Sequence, residues 1–293
     1  MHLGNISKYE VMVTVAEEGS LTAAAEKLGY TQSGVSRIIA DLEAECGFPL
    51  LTRGKLGAAL TSEGEKMLVP MRALLRAGDA VTETADEING LRAGHIRIGL
   101  FSSVAVQWAP RLISSFLALY PNIRVEFYAG LYHEIVRMIE TEELDCGFIT
   151  KQAREKLDFL ELKQDRLLAV VPPEHPFAGA AALPVCEIAK ESFILPGEGS
   201  HYDIGRIFAE SGLKPQVRFS MQDDGGAIAM VAHGMGITIL PELVLLGCAQ
   251  KICALPLDPP FSRSIGIANK RNKVLSPAAR AFISYTGEWV KNI

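Results

Sequence analysis

Several features that mark large classes of protein are scarce or missing in this chain of 293 residues. It has five cysteines, and an odd number without paired short spacings indicates reduced thiols and argues against a disulfide framework. Its formal net charge of −5 gives no global signal for nucleic acid. The most apolar region, residues 228–246, contains His233, Pro241 and Glu242, so it is too interrupted for a membrane span. No basic and then apolar leader opens the sequence, and we expect a cytoplasmic protein.

The motifs that carry common enzyme chemistry are also missing. The sequence has no G-x-S-x-G nucleophile elbow, no G-x-x-x-x-G-K-[ST] phosphate loop and no H-E-x-x-H zinc motif. Gly234 and Gly236 lack a third glycine and precede a strand pattern, so a dinucleotide fingerprint fails. Cys248 and Cys253 have no histidines nearby to complete a zinc site. We therefore expect no catalytic residues, no cofactor and no metal, and predict that the protein is not an enzyme.

The clearest pattern present is a pair of short helices within residues 20–43. Ser20 and Thr31 stand where a side-chain oxygen caps a helix N-terminus, and Gly29 can end the first helix in a left-handed conformation. Apolar residues spaced three and four apart predict one buried face on the second helix: Val35, Ile38, Ile39 and Leu42. Its opposite face carries short or forked hydrogen-bonding side chains, which are typical of base reading in a major groove. A merely solvated polar face is the alternative.

This region closely resembles the helix-turn-helix of LysR-type transcriptional regulators. The matching segments are residues 16–20, 24–28, 32–33, 35–37, 42–43 and 47–50, and a looser resemblance continues to the C-terminus. The resemblance implies a sequence-specific, bacterial-type DNA-binding regulator of transcription. A glycine-bearing turn within residues 50–61 predicts a β-hairpin wing whose cations could meet phosphates or simply be solvated. The residues expected to bind DNA are Thr31, Gln32, Ser33, Ser36, Arg37, Arg53 and Lys55.

The predicted fold is multidomain. Residues 1–61 form a winged helix-turn-helix domain that is otherwise all-α, and residues 62–90 form a long linker helix. A heptad spacing on this helix predicts that it pairs with another helix, although packing on its own domain is the alternative. In LysR-type proteins the linker helix pairs two subunits, which implies a homodimer or homotetramer here. The residues expected at this dimerisation seam are Met67, Met71, Leu74, Val81, Ala85 and Ile88.

From about residue 91 onward, strands alternate with helices, and this rhythm predicts a mostly parallel sheet. The resemblance implies that residues 91–293 form an α/β effector-binding domain with the two-lobed type-2 periplasmic-binding fold. Lobe I would comprise about residues 91–163 and 267–293, and lobe II about residues 164–266.

Ligands of open α/β sheets bind beyond the carboxyl ends of strands. Polar side chains and glycines follow four predicted strands, and we expect them to line an effector cleft: Ser102, Ser103, Thr150, Gly197, Ser200, His201, Gln222 and Asp223. Simple helix capping by the serines and a surface-loop position for His201 are the alternatives. Because a helix N-terminus favours anions, a small carboxylate is the leading effector class. Asp223 and Asp224 would oppose a strongly acidic effector unless their side chains point away.

The predicted partners are double-stranded DNA, a small-molecule effector and a second copy of the chain, with RNA polymerase as a further partner and no membrane. An effector would shift lobe closure, and so the spacing of the DNA-binding domains, through different affinities for two states. A thiol-based redox sensor on the same scaffold is the other regulator class considered. Its reactive pair would lie near residues 196–201, where this chain has no cysteine.

Overall fold

The computed structural model describes residues 6–54, 57–88, 93–151 and 157–292. Three of the predicted contact residues fall outside the described set, because Lys55 and the side chains of Arg53 and Ile88 are not part of it. The described chain forms a small N-terminal domain, a long helix and a two-lobed α/β domain, as the sequence predicted.

The N-terminal domain begins with α1 (Ser7–Glu18), α2 (Leu21–Leu28) and α3 (Gln32–Cys46). The predicted caps are present, since Ser20 Oγ accepts from the Ala23 N–H at 3.3 Å and Thr31 Oγ1 accepts from the Gly34 N–H at 3.1 Å. The predicted wing is confirmed as an antiparallel hairpin of β1 (Leu51–Gly54) and β2 (Gly57–Leu60). Its position is fixed to α3 because Glu43 Oε1 accepts from the backbone N–H groups of both Leu50 and Leu51.

The long helix α4 spans Ser62–Ile88 and divides into two halves with different surroundings. In its first half, Met71 is buried, and Met67 and Leu74 pack against the core of the N-terminal domain. The predicted role of Met71 in dimerisation is therefore wrong, because this side chain is buried in its own domain. The first half of α4 follows the alternative, in which the helix packs on its own domain. In the second half, Val81 is 71% exposed and Ala85 is exposed, so their predicted role in dimerisation stays a prediction.

Ion pairs with low exposure fasten α4 to the α/β domain. Arg72 contacts Glu143 at 3.0 Å, and Arg76 forms an ion pair with Asp145. Asp145 also accepts from the backbone N–H of Arg97, so this carboxylate lies against a strand of the α/β domain. A carboxylate held by both a guanidinium and a backbone donor fixes the helix more firmly than a solvated surface pair would.

The α/β domain contains nine described strands: β3 (Ala93–Leu100), β4 (Asn122–Ala129), β5 (Cys146–Thr150), β6 (Leu157–Val171), β7 (Leu183–Pro184), β8 (Ser192–Leu195), β9 (Gln216–Ser220), β10 (Thr238–Pro241) and β11 (Cys253–Lys270). The larger sheet has the order β10-β6-β11-β5-β3-β4, with β7 beside β11, and β8 pairs with β9. The prediction of a mostly parallel sheet is wrong for the larger sheet, although β3 pairs parallel with β4 and β5, β7 with β11, and β8 with β9. The sheet is mixed because the long strands β6 and β11 pair antiparallel through both lobes.

Helices cover the sheet of each lobe: α5 (Ser102–Gln107), α6 (Ala109–Leu119), α7 (Tyr132–Glu140), α8 (Val185–Ile188), α9 (Glu198–Glu210), α10 (Asp224–Ala232), α11 (Glu242–Leu245) and α12 (Pro277–Val290). Lobe I has a core around Phe116, Phe148 and Phe282, whereas lobe II is built around Phe193 and Ile207. The predicted boundaries between the lobes fall inside β6 and β11. These two strands are thus the connection about which the lobes can move.

Among the described helices, none combines the length and apolar character that crossing a membrane requires. Within the same ranges, no group of three or more His, Cys, Asp or Glu side chains is placed to hold a metal ion.

Candidate nucleic-acid interface and interlobe cleft

The N-terminal turn of α3 presents the predicted DNA-reading side chains to solvent. Gln32, Ser33 and Arg37 are exposed, and Ser36 is half-buried. They point outward because the opposite face is anchored in the core: Val35, Ile39 and Leu42 have no exposed surface, and Ile38 is half-buried. Thr31 is exposed, but its hydroxyl is committed to the helix cap.

Arg37 has no ion-pair partner among the residues that the structure describes. Neighbouring charges of the domain are paired, for example Lys27 with Glu18 at 2.7 Å and Lys8 with Glu45. A forked guanidinium without a partner, beside exposed amide and hydroxyl groups, matches the donors and acceptors on base edges. Tyr30, which is 46% exposed in the turn before α3, was not among the residues that the sequence predicted to bind DNA. Tyrosine hydroxyls are among the groups that contact phosphates.

A cavity of about 410 Å³ lies between the two lobes. Its volume is within the range of about 300–1,000 Å³ typical of small-molecule sites. The residues that line it are Phe101, Ser102, Ser103, Ala105, Val106, Ala129, Gly130, Leu131, Tyr132, Gly197, Ser200, Gln222, Asp223, Asp224, Val244 and Arg263.

Arg263 on β11 is the hub of this cleft and is 4% exposed. Its Nε donates to Asp165 Oδ2 at 2.9 Å, Nη1 donates to the Tyr132 hydroxyl at 2.7 Å, and Nη2 donates to Ser103 Oγ at 3.0 Å. The guanidinium carbon lies 5.3 Å from the centre of the Phe101 ring. Arg263 thus joins the two helix starts of lobe I to the strands that connect the lobes.

Three ionisable groups of the cleft have perturbed pKa values. Burial raises the pKa of Tyr132, so its hydroxyl stays protonated at neutral pH although Arg263 opposes the shift. Burial also raises the pKa values of Asp203 and Asp224, again against the attraction of Arg263. These carboxylates are therefore held in the cleft with incomplete compensation of their charge.

The two aspartates at the start of α10 point to different places. Asp223 Oδ1 accepts from the Gly226 N–H at 2.7 Å and caps the helix. Asp224 is half-buried and lies against lobe II, where its Oδ1 is 3.4 Å from Ser200 Oγ. Both residues line the cavity, and the Asp224 carboxylate bonds to Ser200, which lines it as well.

Most of the predicted effector residues line the cavity, namely Ser102, Ser103, Gly197, Ser200, Gln222 and Asp223. Thr150 instead lines a separate recess of about 360 Å³, together with Asp203, Arg206 and the other side of Arg263. His201 lines neither space, and its Nε2 is 2.8 Å from the Pro196 carbonyl oxygen. His201 is half-buried in the first turns of α9, so both the predicted cleft position and its surface-loop alternative are wrong.

Two predicted residues have structural tasks at the cavity wall. A Cβ on Gly197 would lie 2.6 Å from the Gln222 carbonyl oxygen, so glycine is needed where two loops of lobe II approach. Ser103 Oγ is occupied by Arg263. The sequence analysis missed Arg263, Asp165 and Tyr132. No local pattern around Arg263 indicates its partners, because they lie 98 or more positions away in the chain.

The fold and these two sites define a DNA-binding protein with a ligand-binding domain, and comparisons with known proteins agree. The description "Bacterial regulatory helix-turn-helix protein, lysR family" matches residues 6–65, and "LysR substrate binding domain" matches residues 89–291. An uncharacterised HTH-type transcriptional regulator of Bacillus subtilis strain 168, YvbU, is 30% identical over 286 residues, covering 97% of this chain and 98% of YvbU.

Solved structures show the same fold along the whole chain. A full-length OxyR variant from Pseudomonas aeruginosa has a TM-score of 0.81 at 22% identity and covers 98% of this chain and 95% of that one. Full-length CbnR in complex with its target DNA has a TM-score of 0.57 at 19% identity and covers 98% and 99%.

The chain therefore belongs to the LysR family of bacterial regulatory helix-turn-helix proteins. It is a DNA-binding transcriptional regulator with an effector-binding domain, and proteins of this family bind DNA and small-molecule effectors and form oligomers.

Proposed function

We propose that this regulator reads its operator with the N-terminal turn of α3 and that a small molecule in the interlobe cavity controls how it does so. The observation that carries the proposal is the exposed face of α3, where Gln32, Ser33 and Arg37 point outward because Val35, Ile39 and Leu42 anchor the opposite face in the core. Ser36 contributes a further hydroxyl, and Arg53 and Lys55 of the wing supply phosphate contacts. The exposed hydroxyl of Tyr30 is an additional candidate.

The cavity is suited to control because its walls come from both lobes, while β6 and β11 connect them. A ligand that binds a closed arrangement more tightly than an open one shifts the protein toward closure. Lobe I is fastened to α4 through Arg72–Glu143 and Arg76–Asp145, and α4 packs on the N-terminal domain. A change at the cleft therefore has a continuous set of contacts through which it can reach α3.

The protein acts as an oligomer in this proposal. The second half of α4 exposes Val81 and Ala85, which a second copy of the helix would cover. Two N-terminal domains on such a spacer read two half-sites, whereas a single one reads too few base pairs. RNA polymerase is a further proposed partner, and the chain carries out no catalysis of its own.

A thiol-based mechanism receives no support from the cysteines. Cys146 is completely buried, and burial raises the pKa of its thiol well above the ordinary value, which suppresses the reactive thiolate. The loop at residues 196–201 contains no cysteine. The remaining cysteines are all free: Cys46, Cys186, Cys248 and Cys253.

Fluorescence polarisation with the full-length protein tests the proposal on DNA taken from upstream of its own gene and of the adjacent gene. Replacing Arg37 by alanine removes one bidentate base contact worth about 1–3 kcal/mol, so we expect an affinity loss of roughly 5- to 150-fold. The matched control is Arg111→Ala, which removes an exposed guanidinium from lobe I and should bind like the parent. Absence of specific binding at moderate salt, with Arg37→Ala equal to the parent, would overturn the proposal.

A further inference from the structure

We infer that the interlobe cavity accepts a small organic cation, an ammonium group on an apolar body, with Asp224 as its counter-ion. This inference rests on the proposed role of the cavity as the effector site, and it replaces the carboxylate as the leading ligand class. Three observations support it: the buried pairing of Arg263, the few hydrogen-bond partners of Asp224 and the balance of charge around the cleft.

The only cationic side chain among the described residues lining the cavity is Arg263, which is buried and paired with Asp165. All three guanidinium nitrogens donate within the protein, to Asp165, Tyr132 and Ser103. The pair with Asp165 is buried on both sides, with 3% and 6% side-chain exposure. A ligand carboxylate would have to compete with Asp165 for this guanidinium, because such short charge-assisted pairs are the strong ones.

Asp224 differs from Arg263, because its carboxylate has few hydrogen-bond partners. Its side-chain partner is Ser200 at 3.4 Å, which is at the long end of hydrogen-bond geometry, and the Gly197 backbone adds a second contact. Burial raises the pKa of this carboxyl, which reports that its negative charge is poorly compensated. An ammonium group carries three donors and no acceptor, so it can meet a carboxylate and neighbouring hydroxyls such as Ser102 together.

A second buried carboxylate near Arg263 also lacks a donor. Oδ2 of Asp203, a residue that is 4% exposed, has no hydrogen-bond partner among the described residues, and it lies by the recess on the other side of Arg263. Four aspartates lie in or beside the two spaces, namely Asp165, Asp203, Asp223 and Asp224, against three cationic side chains of the described residues, those of Arg263, Arg206 and Lys151. An anionic ligand would add to this excess of negative charge, whereas a cation would offset it.

The other residues lining the cavity indicate which kind of cation it would bind. Phe101, Val106, Leu131 and Val244 give the cavity an apolar lining, and the rings of Phe101 and Tyr132 pack edge to face with centroids 4.8 Å apart. An amine with a short branched or cyclic hydrocarbon body would bury that body against these side chains. A strongly hydrated inorganic cation would leave the apolar walls without a partner.

Isothermal titration calorimetry on the full-length protein separates the ligand classes with three probes that share one hydrocarbon body: isopentylamine, isopentanol and isocaproate. We expect the amine to bind roughly 10- to 150-fold more tightly than the alcohol, the range expected for a charge-assisted hydrogen bond, and the carboxylate to bind most weakly. Asp224→Asn should remove the preference for the amine. The matched control, Asp158→Asn, changes an exposed aspartate of β6 and should keep it.

Tighter binding of isocaproate than of the amine, unchanged amine affinity in Asp224→Asn, or no amine binding up to about 10 mM would each overturn the inference. Specific DNA binding is measured on every variant without a probe. Its retention shows that Asp224→Asn is folded, and it separates failure of the ligand assignment from failure of the proposed regulatory function.

Discussion

Replacing Arg263 by methionine should weaken the folded α/β domain more than any exposed substitution. The side chains of Arg263 and Asp165 are 3% and 6% exposed, and their closest atoms, Nη2 and Oδ2, are 2.8 Å apart. Removing the guanidinium leaves the Asp165 carboxylate in the interior with the Leu243 N–H, which donates to Oδ1 at 3.0 Å. Breaking a buried ion pair from one side costs about 3–5 kcal/mol, because the remaining charge stays desolvated.

Replacing the other partner, Asp165→Asn, should lower the free energy of unfolding by a similar amount, because it leaves the Arg263 charge without its carboxylate. The double variant removes both charges together. Because the desolvation penalty disappears with them, we expect it to lie within about 2 kcal/mol of the parent, far from the sum of the two single losses.

Urea unfolding followed by tryptophan fluorescence measures these differences. Trp108 is buried in the core of lobe I, and Trp289 packs against the same core, so both report on the domain that contains the pair. Arg111→Met is the control for loss of an exposed guanidinium and should change the free energy of unfolding by less than about 0.5 kcal/mol. Losses under about 1 kcal/mol in both single variants, or additive losses in the double variant, would refute the reasoning.

Two further predictions concern the α/β domain. A Cβ on Gly147 would lie 2.6 Å from Cγ2 of the buried Ile135, so Gly147→Ala should lower the free energy of unfolding by about 1–3 kcal/mol in the same urea assay. Gly205 has open space around it in α9, so Gly205→Ala should raise the free energy of unfolding by up to about 1 kcal/mol. Equal effects of the two substitutions would contradict this prediction. Burial raises the pKa of Asp203, so the folded state holds a proton that the unfolded state has released. Stability should therefore fall as pH rises from about 4 through that raised pKa, and Asp203→Asn should flatten the fall; an unchanged pH profile would contradict this.

The sequence alone was enough to predict the N-terminal domain and its exposed reading face. The caps at Ser20 and Thr31 and the apolar spacing along α3 act within a few residues of the chain, and the structure contains both caps and the buried face. The same holds for the wing, where two short strands need only a tight turn between them. Local hydrogen bonds and helical periodicity determine these features, and both can be read from consecutive residues.

The linker helix shows where periodicity ceases to be sufficient. Its heptad spacing is continuous, but Met71 packs within its own domain while Val81 is left exposed. The spacing predicts an apolar stripe and does not say which surface will cover each part of it. The ion pairs of Arg72 and Arg76 with acidic residues about seventy positions later decide where α4 lies on lobe I.

Only the tertiary structure decided which side chains line the cleft and which of them are paired. Arg263 meets Asp165, Tyr132 and Ser103, which are 98, 131 and 160 positions away in the chain. The sequence placed serines and aspartates at strand ends, but it could not show that the arginine forms a buried ion pair while Asp224 has none among the described residues. Electrostatic balance in a cavity depends on distances between side chains that the chain brings together from remote segments, and no local pattern encodes those distances.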